Sequence, residues 1–338
     1  MSTPLPAQQE RIVVARLPVG VPTPDDFALE SAPLPIIVDG ELLVRTIDLS
    51  LDPYLRSVMA GRHLGHAAAG PGRLMPGRAT AQVVASRDES FAVGAYVLAD
   101  TGWQEYAAIP GSQARRLDPH DAPLTSALGV LGMPGLTAWA GVTQLLSLRA
   151  GQTFVVSAAL GGVGSAAGQF ARHAGCRVIG IAGSEEKCAL VVEHFGFDAC
   201  INYHKGAWED ALRVAAPDGI DAYFDNVGGA ILEGVLRQLR LQGHIVLCGL
   251  IEQYNTGIPY ALPLAGVIGK RAHLHGLVVY DHEPRMNEYL TLAQPMVRNG
   301  TLRFLEDRAH GLSAAPAAFQ RLMSGHNIGK AVVAVSAA

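Results

Sequence analysis

Apolar and polar positions follow two different patterns along the chain, and the second pattern begins near residue 150. From Thr153 onward, short apolar runs alternate with helical stretches of about ten to fifteen residues. This alternation is typical of βαβ units and predicts a doubly wound parallel sheet. Six strands are predicted, at Thr153–Ser157, Arg177–Ile181, Ala199–Tyr203, Asp221–Asn226, His244–Cys248 and His273–Val279. The predicted helices are Gly164–Ala174, Glu185–Phe195, Trp208–Ala215 and Ala230–Arg240.

The chain before about residue 120 is rich in Pro and Gly between short alternating apolar runs, such as Glu41–Ile47, Ala81–Val84 and Ala95–Leu98. These runs predict short strands, and together they indicate a β-rich, barrel-like domain. Beyond residue 300, a helix is predicted at Ala315–Ser324 and a last strand at Ala331–Val335. Both resemble the first domain more than the second.

The length and composition agree with two domains. At 338 residues the chain exceeds what one core usually supports, and 49% of it is apolar while 17% is charged. Residues 122–148 and 151–171 carry no charge, but glycines interrupt both stretches, and Pro123 and Pro134 interrupt the first. We interpret them as buried core rather than membrane spans, because lipid offers no partners to interrupted backbone.

Charge and cysteine content exclude several classes of partner. The net charge is -4 and the basic residues are scattered singly, so we expect no nucleic-acid surface. The four cysteines, Cys176, Cys188, Cys200 and Cys248, lack metal-ligand spacing, which favours ordinary thiols in a reducing compartment. The chain does not begin with a secretory pattern. We therefore expect a cytoplasmic protein.

A glycine-rich turn follows the first predicted strand of the second half. Gly162-Val163-Gly164, preceded by Gly161 and followed at the right spacing by Ala167, matches the dinucleotide-binding fingerprint in its form with alanine last. Such a turn lets the backbone approach a pyrophosphate and directs the amides of the next helix toward it. The surrounding strands and helices are the setting that this fingerprint requires.

The end of the second predicted strand indicates which dinucleotide is bound. An NAD site usually has an acidic residue there to bind the ribose hydroxyls, whereas this chain has Gly183-Ser184. Ser184 and Lys187 are suited to a 2′-phosphate, which favours NADP. Two alternatives stay open: Ser184 is only a helix cap and Lys187 only solvated, or Glu185 is the ribose ligand of an NAD enzyme.

Several further segments form an ordered set from about residue 40 to the end. They are Leu51–Arg56, Leu131–Ala138, Ala182–Lys187, Phe224–Gly229, Cys248–Asn255 and Asn327–Lys330. In this order they resemble the zinc-free medium-chain dehydrogenase/reductases, in the branch of the prostaglandin reductases, leukotriene dehydrogenase and alkenal double-bond reductases. The resemblance implies a GroES-like substrate domain at 1–122, an NADP-binding Rossmann domain at 123–300, and a segment at 301–338 that returns to the first domain.

The resemblance also implies an NADPH site. Lys187, Ser184 and Tyr203 would hold the 2′-phosphate, beside the turn residues already named. The remaining assigned positions are Asn226 and Val227 along the ribose, Cys248, Gly249 and Tyr254 near the nicotinamide half, Leu277 in the sixth predicted strand, and Asn327 in the tail. Structural explanations stay open: Tyr203 as a strand-end aromatic, Asn226–Gly229 as a turn, and Asn327 as a loop cap.

Metal chemistry is not expected. Zinc-dependent relatives carry a cysteine and a Gly-His-Glu motif in the first domain, but here no cysteine precedes Cys176. His63 and His66 lie in a Gly- and Ala-rich loop without a neighbouring thiol or carboxylate. The resemblance therefore implies reduction of a carbon–carbon double bond that a carbonyl group already polarises, in small enones and enals.

The charge that develops on the substrate oxygen needs a donor. Tyr254 is the first candidate and Tyr54 the second, with a core tyrosine as the alternative for Tyr54. The loop Met59–Pro76 departs from the relatives and leaves the natural substrate open. Two rival functions are a quinone reductase of the same superfamily and a non-catalytic NADPH-binding protein. Relatives are often homodimers joined at a sheet edge, which directs attention to His273–Val279.

Overall fold

The computed structural model describes residues 5–65 and 67–338, so His66 lies outside the described residues. The chain divides into two compact units. The first contains the chain through Leu128 together with Glu306–Asn327 and Ala331–Ala338, and the second contains Gly129–Leu305 and Ile328–Lys330. The C-terminal segment therefore contributes to both units.

The first unit is built from antiparallel strands. In chain order they are β1 (Gln8–Val14), β2 (Phe27–Pro33), β3 (Glu41–Ser50), β4 (Ala79–Ser86), β5 (Tyr96–Ala99), β6 (Tyr106–Pro110) and β7 (Arg115–Leu117), with helix α1 at Leu55–Met59. Short 3-10 turns lie at Pro24–Asp26, Gly111–Gln113 and Leu124–Leu128. Alternate residues of β3, Leu42 and Val44, are buried in one cluster with Ala81 and Val83 of β4. The alternating apolar pattern thus forms one face of a sheet.

The second unit contains six parallel strands and eight α-helices among its described residues. The strands are β8 (Thr153–Ser157), β9 (Arg177–Ala182), β10 (Ala199–Asn202), β11 (Ile220–Asp225), β12 (Leu239–Leu247) and β13 (His273–Gly276). The helices are α2 (Met133–Trp139), α3 (Gly162–His173), α4 (Glu185–Phe195), α5 (Trp208–Ala215), α6 (Gly229–Gln238), α7 (Ile251–Thr256), α8 (Leu264–Lys270) and α9 (Met286–Arg298). A π-helix spans Ala140–Leu145, and a 3-10 segment spans Val279–Arg285.

The sheet of the second unit has the order β10-β9-β8-β11-β12-β13, and all of its pairings are parallel. This is the doubly wound order of dinucleotide-binding domains, in which the direction of winding reverses between β8 and β11. The predicted Rossmann fold is confirmed. Ligands of such sheets bind at the carboxyl ends of the strands near this reversal.

Three elements close the chain: β14 (Glu306–His310), α10 (Ala315–Met323) and β15 (Lys330–Ala334), with a 3-10 turn at Leu312–Ala314. Strand β15 pairs antiparallel with β3, so that Val332 lies opposite Ser50. The large sheet of the first unit consequently has the order β14-β15-β3-β4-β5-β7, and β6 also pairs with β3. The predicted β-rich domain is confirmed, and its last strands come from the C-terminal end.

Several predicted boundaries in the second unit are wrong, and the largest error is in the fifth strand, which is predicted at His244–Cys248 but spans Leu239–Leu247. The predicted helix Ala230–Arg240 ends at Gln238, because Leu239 already pairs with Ile220 and begins β12. The predicted sixth strand is too long, since β13 ends at Gly276 and a 3-10 segment begins at Val279. Helices α2, α7, α8 and α9 were not predicted.

Among the described residues, no helix is both long and apolar enough to cross a membrane.

Candidate cofactor and active site

The glycine turn joins β8 to α3 at the centre of the sheet. Every residue of β8 is buried, and the chain turns at Ala158, whose φ of 49° is unusual for a residue with a side chain. Helix α3 begins at Gly162, and no side chain of the described chain caps it. Its first amides are therefore available to an anionic ligand at the positive end of the helix dipole.

The glycines of the turn have different neighbours. A Cβ at Gly164 would overlap the carbonyl oxygen of Ala158, so this glycine allows α3 to pack against the end of β8. A Cβ at Gly162 would lie 3.1 Å from Cδ of Lys330. Lys330 is only 7% exposed and donates its backbone N–H to Leu305. From the sequence, Lys330 is identified only as the end of the segment Asn327–Lys330. No local sequence pattern indicates that a single lysine is buried.

A buried carboxylate organises the turn after β11. Asp225 is fully buried, and its Oδ1 accepts hydrogen bonds from Tyr223 Oη at 2.7 Å and Ser157 Oγ at 3.1 Å. The same oxygen accepts the backbone N–H groups of Val227 and Gly228, each at 3.0 Å. Burial raises the pKa of Asp225. Sequence reasoning did not assign this residue, although it lies in a segment of the family resemblance.

Asn226 is fixed between the two central strands. Its backbone N–H donates to Ser157 Oγ at 2.9 Å, and its side-chain Nδ2 donates to the Ser157 carbonyl at 2.8 Å. The side-chain oxygen of Asn226 is thereby oriented away from this carbonyl. Asn226 and Val227 thus follow β11 at the point where the sheet reverses, beside the strand that leads into the glycine turn.

The segment after β12 packs onto the same turn. The N–H groups of Cys248 and Gly249 donate to the Asp225 carbonyl at 2.9 and 3.2 Å. Burial, with a smaller contribution from Asp225, raises the pKa of Cys248 to about 12, so this thiol is neutral. A Cβ at Gly249 would lie 3.0 Å from the Asn226 carbonyl oxygen and 3.5 Å from the hydroxyl of Tyr254.

Tyr254 lies on α7, and its hydroxyl points back to Leu250, the residue directly before this helix. Its hydroxyl accepts the Leu250 N–H at 3.3 Å, and burial is the main cause of its raised pKa. The phenol therefore keeps its proton at neutral pH. The structure brings Asn226, Val227, Cys248, Gly249 and Tyr254 together at the carboxyl ends of β11 and β12.

Leu277 follows β13 directly. Its N–H donates to the Leu247 carbonyl at 3.0 Å, which extends the pairing of β12 and β13 by one residue. Its side chain is 6% exposed and lies near the positions of Gly141 and Phe224. Leu277 is thus at the same edge of the sheet as Cys248.

The turn between β9 and α4, which we call the corner, contains Ser184 and Lys187, the residues that the sequence assigns to a 2′-phosphate. Ser184 caps α4, since its Oγ accepts the Lys187 N–H at 3.2 Å, and both residues are half-buried. The Tyr203 hydroxyl lies 3.6 Å from the position of a Cβ at Gly183. Burial raises the pKa of Tyr203. Glu185, the alternative ribose ligand, accepts a hydrogen bond from Asn202 and pairs with Lys205.

Two assigned residues belong to the first unit. Tyr54 precedes α1, and its ring centroid lies 4.8 Å from that of His63. Asn327 is the last residue of Glu306–Asn327, directly before the three residues that belong to the second unit. Among the described residues, no group of three or more His, Cys, Asp or Glu side chains is arranged to hold a metal ion.

A doubly wound sheet with a glycine turn, joined in one chain to an antiparallel β-rich unit, defines a dehydrogenase-type oxidoreductase. The comparisons agree. Residues 10–117 match the family described as N-terminal domain of oxidoreductase, and residues 162–294 match the family described as zinc-binding dehydrogenase. The chain belongs to the medium-chain dehydrogenase/reductase family, in the branch of the alkenal and prostaglandin reductases.

Individual relatives match over nearly the whole chain. The NADP(+)-dependent 2-alkenal reductase of Nicotiana tabacum is 39% identical and covers 97% of each chain. Prostaglandin reductase 1 of Bos taurus is 40% identical over 93% of this chain and 95% of its own. The crystal structure of CurA from Vibrio vulnificus in complex with NADPH has a TM-score of 0.92 and 38% identity, and covers 97% of this chain and 100% of its own.

Proposed function

We propose that the protein uses NADPH to reduce the carbon–carbon double bond of α,β-unsaturated aldehydes and ketones. The observation that carries the cofactor choice is the corner after β9, where Ser184 and Lys187 replace the usual carboxylate and Glu185 is paired with Lys205. The substrate class is supported by the relatives, which are named 2-alkenal reductase and prostaglandin reductase.

The residues of the second unit fit this cofactor. The uncapped start of α3 and the glycines Gly161, Gly162 and Gly164, with Val163 between them, suit a pyrophosphate. Ser184, Lys187 and Tyr203 suit a 2′-phosphate. The remaining residues proposed for the cofactor are Asn226, Val227, Cys248, Gly249, Tyr254, Leu277 and Asn327.

When bound, NADPH supplies the hydride that adds to the β-carbon of the substrate. Negative charge then develops on the carbonyl oxygen, and the protein must stabilise it with a hydrogen-bond donor. We propose Tyr254 for this role, because its hydroxyl lies 3.5 Å from the position of a Cβ at Gly249, beside the carboxyl ends of β11 and β12, and its buried phenol keeps its proton. Tyr54 is the second proposed donor, and Tyr54→Phe is the variant that separates the two.

We also propose that the protein is a cytoplasmic homodimer. Strand β13 lies at the edge of its sheet, and the outer side of an edge strand can pair with the same strand of a second copy. The four cysteines are free thiols, which suits a reducing compartment. Light scattering after gel filtration measures the oligomeric state.

The reaction class is tested by following NADPH oxidation at 340 nm with a panel of enals, enones and quinones. We expect turnover with enals and enones, and the saturated carbonyl compound as product. Faster turnover of quinones than of every enone would favour a quinone reductase. NADPH binding without turnover of any substrate would indicate that the protein binds NADPH but is not an enzyme.

The cofactor site is tested with Lys187→Ala. A charge-assisted hydrogen bond contributes about 1.5–3 kcal/mol, so we expect NADPH affinity to fall by about tenfold to a hundredfold. NADH lacks the 2′-phosphate and serves as the internal control. Equal losses for the two cofactors would remove Lys187 from the proposed phosphate site.

A further inference from the structure

The carboxylate of Glu185 is held by two residues at the end of the neighbouring strand. Its Oε1 accepts a hydrogen bond from Asn202 Nδ2 at 3.2 Å and pairs with Lys205 Nζ at 3.3 Å. The Asn202 hydrogen bond, followed by Lys205, lowers the pKa of Glu185. We refer to Glu185, Asn202 and Lys205 as the Glu185 clasp. The clasp directs the carboxylate toward the end of β10.

The orientation of Asn202 is fixed by the backbone. Its Oδ1 accepts the N–H of His204 at 3.1 Å, so its Nδ2 is the atom left to face Glu185. Asn202 pairs with Ala182 across the two strands, and Tyr203 N–H donates to the Ala182 carbonyl at 3.1 Å. The donor of the clasp is therefore positioned by strand pairing, directly beside Ala182, the last residue of β9 before Gly183.

The clasp lies at the side of the proposed phosphate site. A Cβ at Gly183 would lie 3.5 Å from Cε1 of Tyr203 and 3.6 Å from Cδ2 of His204, whose ring centroids are 4.1 Å apart. Glu185 is the first residue of α4, directly after the Ser184 cap. A carboxylate so close to the strand end is well placed to bind ribose hydroxyls, as in NAD sites, and to repel a 2′-phosphate.

We propose that Asn202 and Lys205 are specificity-determining residues that maintain the preference for NADPH by holding Glu185. Lys205 compensates the charge of the carboxylate, and Asn202 directs it toward β10. When the carboxylate of Glu185 is held toward β10, the electrostatic potential at the corner is positive. It comes mainly from the ammonium of Lys187 and the positive end of the α4 helix dipole. The inference rests on the proposed function, because it presumes that the corner binds the 2′-phosphate.

The test is equilibrium binding of 2′,5′-ADP and 5′-AMP to the full chain by titration calorimetry, beside NADPH and NADH. Lys205→Ala removes the positive charge that compensates Glu185 and leaves the carboxylate held by Asn202 alone. Since both side chains are well exposed, with 73% and 67% of their surfaces accessible, the fold should tolerate the change. We expect the affinity for 2′,5′-ADP relative to 5′-AMP to fall by about threefold to tenfold.

Rescue distinguishes the clasp from simple loss of a positive charge. Glu185→Gln added to Lys205→Ala should restore most of the affinity ratio, whereas Glu186→Gln, which neutralises the adjacent carboxylate, should not. Lys205→Arg should retain the wild-type ratio. The effect should also shrink in about 0.5 M salt, because exposed charges are screened at that ionic strength. A structural role for Lys205 would not depend on salt in this way.

Two results would overturn the inference. One is an unchanged ratio in Lys205→Ala, and the other is equal rescue by Glu185→Gln and Glu186→Gln. The Lys187→Ala variant, measured in the same titrations, separates this outcome from failure of the proposed function. If Lys187→Ala lowers the ratio while Lys205→Ala does not, the phosphate site stands and only the role of the clasp is refuted.

Discussion

Replacement of Asp225 tests how the central strands support the candidate site. One buried oxygen of this residue accepts hydrogen bonds from Tyr223, Ser157, Val227 and Gly228. Asp225→Ala removes all of them at once. Each buried donor left without an acceptor costs about 1–3 kcal/mol, so the two backbone amides alone predict a loss of about 2–6 kcal/mol. Because removal of a buried charge offsets part of this loss, we expect the free energy of unfolding to fall by about 2–4 kcal/mol.

Asp225→Asn is the matched control. It keeps the accepting oxygen but places an amide NH2 at Oδ2, which has no hydrogen-bond partner in the described part of the chain. We expect a smaller loss, of about 1 kcal/mol. Burial raises the pKa of Asp225 in the folded protein, so folding favours its protonated form. The stabilising contribution is then complete below the unfolded pKa near 4 and is lost as the pH rises through the folded pKa.

The wild type should therefore gain stability relative to Asp225→Asn as the pH falls from neutral toward about 4. Urea unfolding followed by tryptophan fluorescence at several pH values measures both differences. NADPH titrations measure the effect on the site, and we expect weaker binding in Asp225→Ala because Val227 and Gly228 lose their shared acceptor. An Asp225→Ala variant as stable as Asp225→Asn would refute the reasoning, since the four hydrogen bonds would then contribute nothing.

Two further predictions concern chemistry and packing. Tyr254→Phe should lower kcat by about tenfold to a hundredfold, a larger effect than its effect on NADPH affinity, and an unchanged kcat would exclude Tyr254 as the donor. Gly168→Ala should cost about 1–3 kcal/mol, because its Cβ would overlap the buried ring of Phe197, but it should leave NADPH affinity intact. Gly164→Ala should lower both stability and NADPH affinity, since its Cβ would meet the backbone of Ala158. Thermal unfolding and NADPH titration check both variants, and equal NADPH affinities would contradict the distinction.

Local sequence signals were sufficient to predict the bounds of elements whose ends carry a capping residue or a glycine. The helix Glu185–Phe195 has the predicted bounds, because Ser184 caps its start and Gly196 ends it with a φ of 71°. The glycine turn was predicted for the same reason, since strand, turn and helix are contiguous. Four helices of the second unit were missed, including α8, which has only seven residues and is therefore too short to show a periodic apolar pattern.

The site residues also divide into those that a short segment of sequence identifies and those that depend on strand pairing. Lys187 and Ser184 were assigned from a short segment, and the resemblance added Tyr203 and Tyr254. Asp225 was not assigned, because its importance comes from donors on two different strands, Ser157 on β8 and Tyr223 on β11.

Amphipathic pattern, caps and glycines lie within a few residues of one another, so the amino-acid sequence by itself determined the class of sheet and the position of the dinucleotide turn. It favoured a 2′-phosphate over a ribose hydroxyl without deciding between them. The partners of Glu185 and the acceptor role of Asp225 were decided only by the tertiary structure. Asn202 meets Glu185 because β10 pairs with β9, and Ser157 meets Asp225 because β8 neighbours β11. Strand pairing brings together groups that are far apart along the chain, and no local pattern encodes which strands become neighbours.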